Sequence, residues 1–137
     1  MLFSQALRYN DVIPQNTVAN ATSIPVFCAD SREIFFTIRV SANANFTINA
    51  LISNQELPPD PTVATSNTNL YSTVAYQDLD TEVTYNTGNL YNPTAPGSIT
   101  TKTFAIQTNG ARWIFIQLTG YSAGTLLKTD VDNFTAN

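Results

Sequence analysis

The sequence predicts an all-β protein, a single antiparallel β-sandwich of about eight strands that is jelly-roll-like or Ig-like. Charged residues make up only 12% of the chain, while Thr is abundant and aromatic residues reach 11%, a composition that favours strands. Several short segments alternate apolar and polar residues with a period of two, and no stretch of ten or more residues shows helical spacing. Turn-forming residues separate these segments. With 137 residues, the chain can bury about two-thirds of its unfolded surface, which is enough for one domain core.

The first 23 residues show little periodicity. They contain Pro14 and a polar run of Asn, Thr and Ala that continues through Thr22. We therefore predict an N-terminal arm or lead-in over residues 1–23 and a single β-sandwich domain over residues 24–137.

The clearest strands follow this segment. A short strand is predicted over residues 24–29, with Pro25 near its edge. Residues 34–40 place four apolar side chains on one face, and residues 46–52 repeat the alternation after a turn at residues 41–45. These two strands are predicted to form an antiparallel pair.

A proline-rich loop interrupts the strands. Three prolines within residues 56–61 exclude a helix or a strand ladder, and the polar sequence continues through Asn69, so this is the longest predicted connection. Further along, Asn109 and Gly110 form the strongest hairpin signal, because both positions of a type I′ turn need a positive φ. The strands predicted after the loop are residues 70–79, 82–85, 100–108, 113–119 and 125–131.

The charge pattern excludes several classes of partner. The net charge is −4, and the six basic residues are scattered along the sequence. Without a basic cluster to neutralise phosphates, neither nucleic acid nor an anionic membrane surface is an expected partner. No apolar run approaches the ~20 residues of a membrane span. The N-terminus lacks the pattern of a signal peptide, so we expect synthesis in the cytoplasm.

The absence of histidine excludes Ser–His and Cys–His nucleophile pairs and histidine-ligated zinc. The one cysteine, Cys28, lies in an apolar segment and is interpreted as a core residue rather than a reactive thiolate. We therefore expect a protein that is not an enzyme and that has no catalytic residue, cofactor or metal ligand.

Three carboxylates, Asp78, Asp80 and Glu82, would point to one side of an extended chain. Such a row could hold calcium, or two of its members could serve as the acid pair of a glycoside hydrolase. The reading we favour is a solvated turn between two strands.

Aromatic residues allow two further interpretations. Tyr71, Tyr76, Tyr85 and Tyr91 could stack on sugar rings if they are exposed, although Tyr also suits a half-buried strand. The strand over residues 113–119 is apolar on both faces, so it is either central in the sandwich or covered by a partner subunit.

Five segments carry a resemblance to a known class of protein. They are residues 31–38 (SREIFFTI), 44–48 (ANFTI), 70–79 (LYSTVAYQDL), 108–119 (TNGARWIFIQLT) and 121–125 (YSAGT). In the last two, a turn leads into an aromatic-rich strand, and a short Ser-Ala-Gly turn leads into the closing strand. This order of strands and turns resembles the small single-domain β-sandwich proteins of tailed-bacteriophage virions.

The resemblance implies a structural protein that decorates a capsid or belongs to a tail or fibre, commonly as an oligomer on a lattice. We therefore expect a virion protein, most simply a capsid decoration or auxiliary head protein, that binds the major capsid protein or other virion proteins and forms homo-oligomers. The alternative is a carbohydrate-binding module of a tail or fibre that uses Tyr71, Tyr76 or Tyr91. The predicted partner-binding residues lie in the arm and the proline-rich loop, which lack a period for burial: Met1, Leu2, Phe3, Leu7, Tyr9, Leu57, Pro58, Pro59, Pro61 and Val63.

Overall fold

The computed structural model describes residues 4–29, 31–61, 75–86 and 89–136. Within these ranges it contains strands and no helix. All strand pairs are antiparallel, which confirms the predicted all-β, antiparallel class. The strands are β1 (Ser4–Asn10), β2 (Ala21–Thr22), β3 (Val26–Phe27), β4 (Glu33–Val40), β5 (Asn45–Ser53), β6 (Tyr76–Asp78), β7 (Val83–Tyr85), β8 (Thr100–Gln107), β9 (Trp113–Ala123) and β10 (Leu126–Ala136).

The strands form two sheets of unequal width. The larger sheet has the order β1-β10-β4-β8-β6-β7. In the smaller sheet, β9 is central: β5 pairs with one edge, and the short strands β2 and β3 pair in succession along the other. Among the described residues, the named strands of the smaller sheet are three across, and residues 90–95 add isolated backbone bridges along the other edge of β5.

One hydrophobic core fills the space between the sheets. The alternation in β4 buries Ile34, Phe36, Ile38 and Val40, as the sequence predicts. The smaller sheet contributes Phe46, Ile48 and Ala50 from β5 and Ile114, Ile116 and Leu118 from β9, and these join the same cluster. Burial of these faces against each other is the main stabilising contribution to the fold.

Two predicted strand pairs are wrong. The strands β4 and β5 do not pair, because residues 41–44 carry the chain from the larger sheet to the smaller one. Asn109 and Gly110 have the positive φ angles that the sequence predicts (53° and 78°), but they also lead from β8 in one sheet to β9 in the other. Alternation and turn residues show that the chain reverses direction between two strands. The two strands can then pair in the same sheet or lie in different sheets across the core, and the sequence does not distinguish these cases.

The structure puts residues 4–23 within the sandwich, where the sequence predicts an arm. Strand β1 pairs with β10 over its whole length, and Val12 and Ile13 are fully buried in the core. Residues 17–24 then continue to the smaller sheet, since Ser23 N–H donates to the Ile116 carbonyl (2.8 Å). The arm interpretation failed because β10, which supplies the partner strand, lies at the opposite end of the sequence.

Charged groups fix the junction after β1. The Asp130 carboxylate accepts hydrogen bonds from the Asp11 N–H (3.0 Å) and the Arg8 guanidinium (3.2 Å), and Lys128 lies 3.2 Å away. Burial alone would raise the pKa of Asp130, but these hydrogen bonds and the Lys128 charge outweigh burial and hold that pKa below its ordinary value.

Gly124 is the position where the connection between β9 and β10 requires glycine. Its φ is +83°, and an added Cβ would lie 2.4 Å from Ala44 Cα. Both a left-handed conformation and a collision with backbone would therefore oppose any side chain here.

We predict that Gly124→Ala lowers the free energy of unfolding by about 2–4 kcal/mol. The matched control is Gly110→Ala, since Gly110 has a similar φ of +78° but nothing within 4 Å of an added Cβ. The control should cost only about 1 kcal/mol. Urea unfolding of both variants measures the difference, and equal losses would contradict the close approach to Ala44.

Candidate interaction surface

The proline-rich loop packs on the outer face of the smaller sheet. Phe115 points to that face because its neighbours Ile114 and Ile116 point into the core, yet only 2% of Phe115 is exposed. Pro58, Pro59 and Pro61 line a groove with it of about 320 Å³, and the remaining walls are Thr22, Ser23, Pro25 and Asp60. Because proline has no N–H, this loop can cover Phe115 without burying unpaired donors.

Three exposed apolar side chains belong to the segments that line this groove. Leu57, directly before the first proline of the loop, is 76% exposed, and Ile24 and Phe27 flank Pro25 and are also exposed. A hydrogen bond from the Trp113 indole N–H to the Gln55 carbonyl (3.1 Å) anchors the chain just before Leu57. The Phe27 ring contacts Trp113 edge-on at 5.2 Å, so β3 and the loop are neighbours. We call Ile24, Phe27, Leu57, Pro58 and the groove the apolar surface.

The structure brings together only some of the predicted partner-binding residues. Leu57 and Pro58 are exposed on the apolar surface, Pro61 is half-buried, and Pro59 is buried in the groove. Tyr9 is half-buried and packs against the core, and Leu7 lies in β1. Met1, Leu2, Phe3 and Val63 lie outside the described residues. Sequence reasoning missed Ile24 and Phe27, since a short apolar segment gives no signal that two of its side chains face solvent. Phe115 lies in the strand that the sequence shows to be apolar on both faces.

The acidic residues of the β6–β7 turn surround a lysine. Lys102 Nζ lies 2.7 Å from Asp78 and 3.4 Å from Asp80, and the Lys102 and Asp78 side chains are largely buried. The other Asp78 oxygen accepts the backbone N–H groups of Asp80 (2.9 Å) and Thr81 (3.4 Å), so Asp78 closes the turn. A cation therefore occupies the position between the carboxylates that a calcium ion would need.

This ion pair shifts both partners toward their charged forms. Burial alone would raise the pKa of Asp78, but the hydrogen bonds from Lys102, Asp80 and Thr81 outweigh it and lower that pKa below its ordinary value. Burial alone would lower the pKa of Lys102, but the two aspartates outweigh it and raise that pKa. The cluster is thus built to remain ionised, as a structural ion pair does.

The tyrosines considered for sugar stacking differ in exposure. Tyr76 is 6% exposed and donates its hydroxyl to the Asn89 carbonyl (2.5 Å), and burial raises its pKa. Tyr91 is half-buried, and its ring lies 6.2 Å from Phe104. Tyr85 is 42% exposed and stacks on Tyr76 at 5.1 Å. Tyr71 lies outside the described residues, so Tyr85 is the described tyrosine of this set that presents a large part of its ring to solvent.

Cys28 is a core residue, as the sequence predicts. It is fully buried, its thiol donates to the Ala111 carbonyl (3.2 Å), and burial raises its pKa to about 12. Over the described ranges, no group of three or more His, Cys, Asp or Glu side chains could hold a metal ion. No helix in this part of the chain is long and apolar enough to cross a membrane.

Comparisons with known proteins give one structural relative. The chain matches no protein-family model, and no curated protein is similar to it in sequence. The crystal structure of YomS, a protein derived from the SPBc2 prophage, shares the fold with a TM-score of 0.56 and 6% sequence identity. The match covers 98% of this chain and 96% of YomS. The whole sandwich, including β1 and the residues that follow it, therefore belongs to a fold that occurs in a prophage-derived protein.

We predict that Asp78→Asn lowers the free energy of unfolding by about 1–2 kcal/mol at about pH 7. The amide keeps an acceptor for the turn but loses the charge that binds Lys102. Because folding lowers the pKa of Asp78, its contribution is present above the unfolded value of about 3.9 and is lost as the pH falls through the folded value.

Urea unfolding at about pH 7 and about pH 2.5 should therefore show a difference between wild type and Asp78→Asn that shrinks in acid. Asp80→Asn is the matched control, with a smaller loss, since Asp80 is more exposed and more distant from Lys102. A loss that is independent of pH would contradict the ion pair.

Proposed function

We propose that this chain is a non-enzymatic structural protein of a bacteriophage virion, a capsid decoration or auxiliary head protein. The supporting observation is that its fold matches a prophage-derived protein over nearly the full length of both chains. The resemblance of five sequence segments to phage virion sandwiches, which is an order of strands and turns, supports the same proposal. Its partners on this proposal are the major capsid protein or other virion proteins.

The apolar surface is the proposed attachment site. An exposed group of large apolar side chains around a groove is typical of a protein–protein contact. Burying a Leu side chain stabilises a complex by about 1.5–3 kcal/mol, and Leu57 is 76% exposed in the free chain. The neighbouring prolines restrict the loop, so little conformational entropy is lost when it binds.

Attachment through a modest surface suits a protein present in many copies. A single groove with three exposed apolar side chains gives a weak contact by the standards of stable complexes. On a symmetric shell, each copy meets the same contact, and homo-oligomers would engage several sites at once. Neither an active site nor a cofactor is needed for this role.

The alternative function is a carbohydrate-binding module of a phage tail or fibre. The exposed ring of Tyr85, held by its stack on Tyr76, is the observation that favours it. Tyr76 and Tyr91 do not add to it because their rings are covered.

We expect quantitative mass spectrometry of purified phage particles from the source strain to detect this chain. A copy number comparable to that of the major capsid protein is the expected result for a decoration protein. A few copies per particle would move the proposal to the tail or fibre and favour the carbohydrate alternative. Complete absence from the particles would contradict a virion role.

We predict that Leu57→Asp weakens binding of the purified protein to particles that lack it by roughly ten- to a hundredfold. Ile99→Asp is the matched control, because Ile99 is 56% exposed but lies next to Thr100 at the opposite end of the sandwich from Trp113. Co-sedimentation with particles measures both variants. Equal binding of Leu57→Asp and wild type would place the attachment site elsewhere.

A further inference from the structure

Strand β7 forms one edge of the larger sheet. It pairs with β6 on one side, and no other described strand pairs with its outer side, which we call the free edge of β7. Its three residues are all exposed, with Val83 at 45% and Tyr85 at 42%.

The hydrogen bonds of β6 show which of its residues face β8. At one end, the Leu79 N–H donates to the Thr103 carbonyl (3.0 Å). At the other end, the Ala75 carbonyl accepts from the Gln107 N–H (2.8 Å). Because backbone groups alternate sides along a strand, Gln77 between them also faces β8.

The intervening residues of β6, Tyr76 and Asp78, therefore turn their backbone groups toward β7. They are paired with Tyr85 and Val83, respectively. Thr84, between these two, must direct its N–H and C=O away from β6 to the free edge. Another strand can form hydrogen bonds with such an unpaired backbone donor and acceptor on an extended strand.

Although β7 is short, the residues of its free edge lack the usual side-chain protection against pairing. Exposed edges commonly carry Lys, Pro or a bulge that prevents contact with another strand. The sequence Val83-Thr84-Tyr85 has none of these and consists of residues that favour strands.

This edge is complementary to itself. In an antiparallel pair centred on Thr84, the two Thr84 residues exchange N–H···O=C bonds, and each Val83 lies opposite Tyr85 of the other copy. The Tyr85 ring is already held by its stack on Tyr76, so pairing costs it little freedom. Four exposed apolar side chains would be covered together.

The charges near the edge permit the same arrangement. The acidic residues Asp80 and Glu82 lie in the turn at one end of β7. An antiparallel pair puts the two turns at opposite ends, with Glu82 opposite the uncharged Asn86 of the other copy. Like charges therefore do not face each other across the edge.

We propose that a second copy of this chain pairs with the free edge of β7, antiparallel and centred on Thr84, which joins two larger sheets into one continuous sheet. This contact does not depend on the proposed virion function or on the apolar surface. The strand is short, so the dimer is weak in solution, with a Kd of roughly 10 µM to 1 mM. If several copies were bound to one particle, their high local concentration would raise the fraction that is paired.

The decisive variant is Thr84→Pro. Its missing N–H faces the free edge rather than β6, so proline is tolerated in the folded monomer but removes the central hydrogen bonds of the dimer. Thr84→Val is the matched control, since it keeps the N–H and the strand preference. Thermal unfolding of dilute samples checks that both variants fold as the wild type does.

Sedimentation velocity from about 10 µM to about 1 mM provides the readout. The expected result is reversible dimerisation of wild type and Thr84→Val, with a Kd at least tenfold higher for Thr84→Pro. Hydrogen exchange at Thr84 should slow with concentration in wild type. A wild type that remains monomeric throughout, or a Thr84→Pro variant that dimerises equally well, would overturn the proposal, whichever way the particle measurements turn out.

Discussion

The inner faces of β4, β5 and β9 pack against each other across one core, and the rest of the described structure is arranged around that contact. The larger sheet has six described strands. Mutual burial covers its middle strands, and the three residues of β7 at one edge are exposed. The chain changes sheet after β1, β3, β4, β5, β8 and β9, so the core holds together segments that are distant in sequence.

A second, smaller packing arrangement covers the outer face of β9. Phe115 points away from the core, and the prolines of the loop shield it from water. This packing holds the loop against the sheet. The side chain of Leu57 does not take part in it and is exposed to solvent. The groove of the apolar surface is thus a consequence of a strand, β9, that is apolar on both faces and whose outer Phe115 is covered by the loop.

The ionised groups have structural roles. Asp78 closes a turn and forms an ion pair with Lys102. Asp130 accepts a hydrogen bond from the Asp11 N–H at the junction after β1. Each carboxylate joins residues from two places in the chain, and each has a lowered pKa because it accepts several hydrogen bonds.

The sequence by itself determined the class of fold, the buried faces of β4 and β5 and the core position of Cys28, because alternation and the apolar neighbours of a thiol are local features of the sequence. Only the tertiary structure decided which strands pair, that residues 4–13 belong to the sandwich, and that Ile24, Phe27 and Leu57 share one surface. These features depend on contacts between residues far apart in sequence, such as β1 with β10. A turn shows that the chain reverses direction. Whether the next strand pairs in the same sheet or crosses to the other sheet depends on how all the apolar faces pack together.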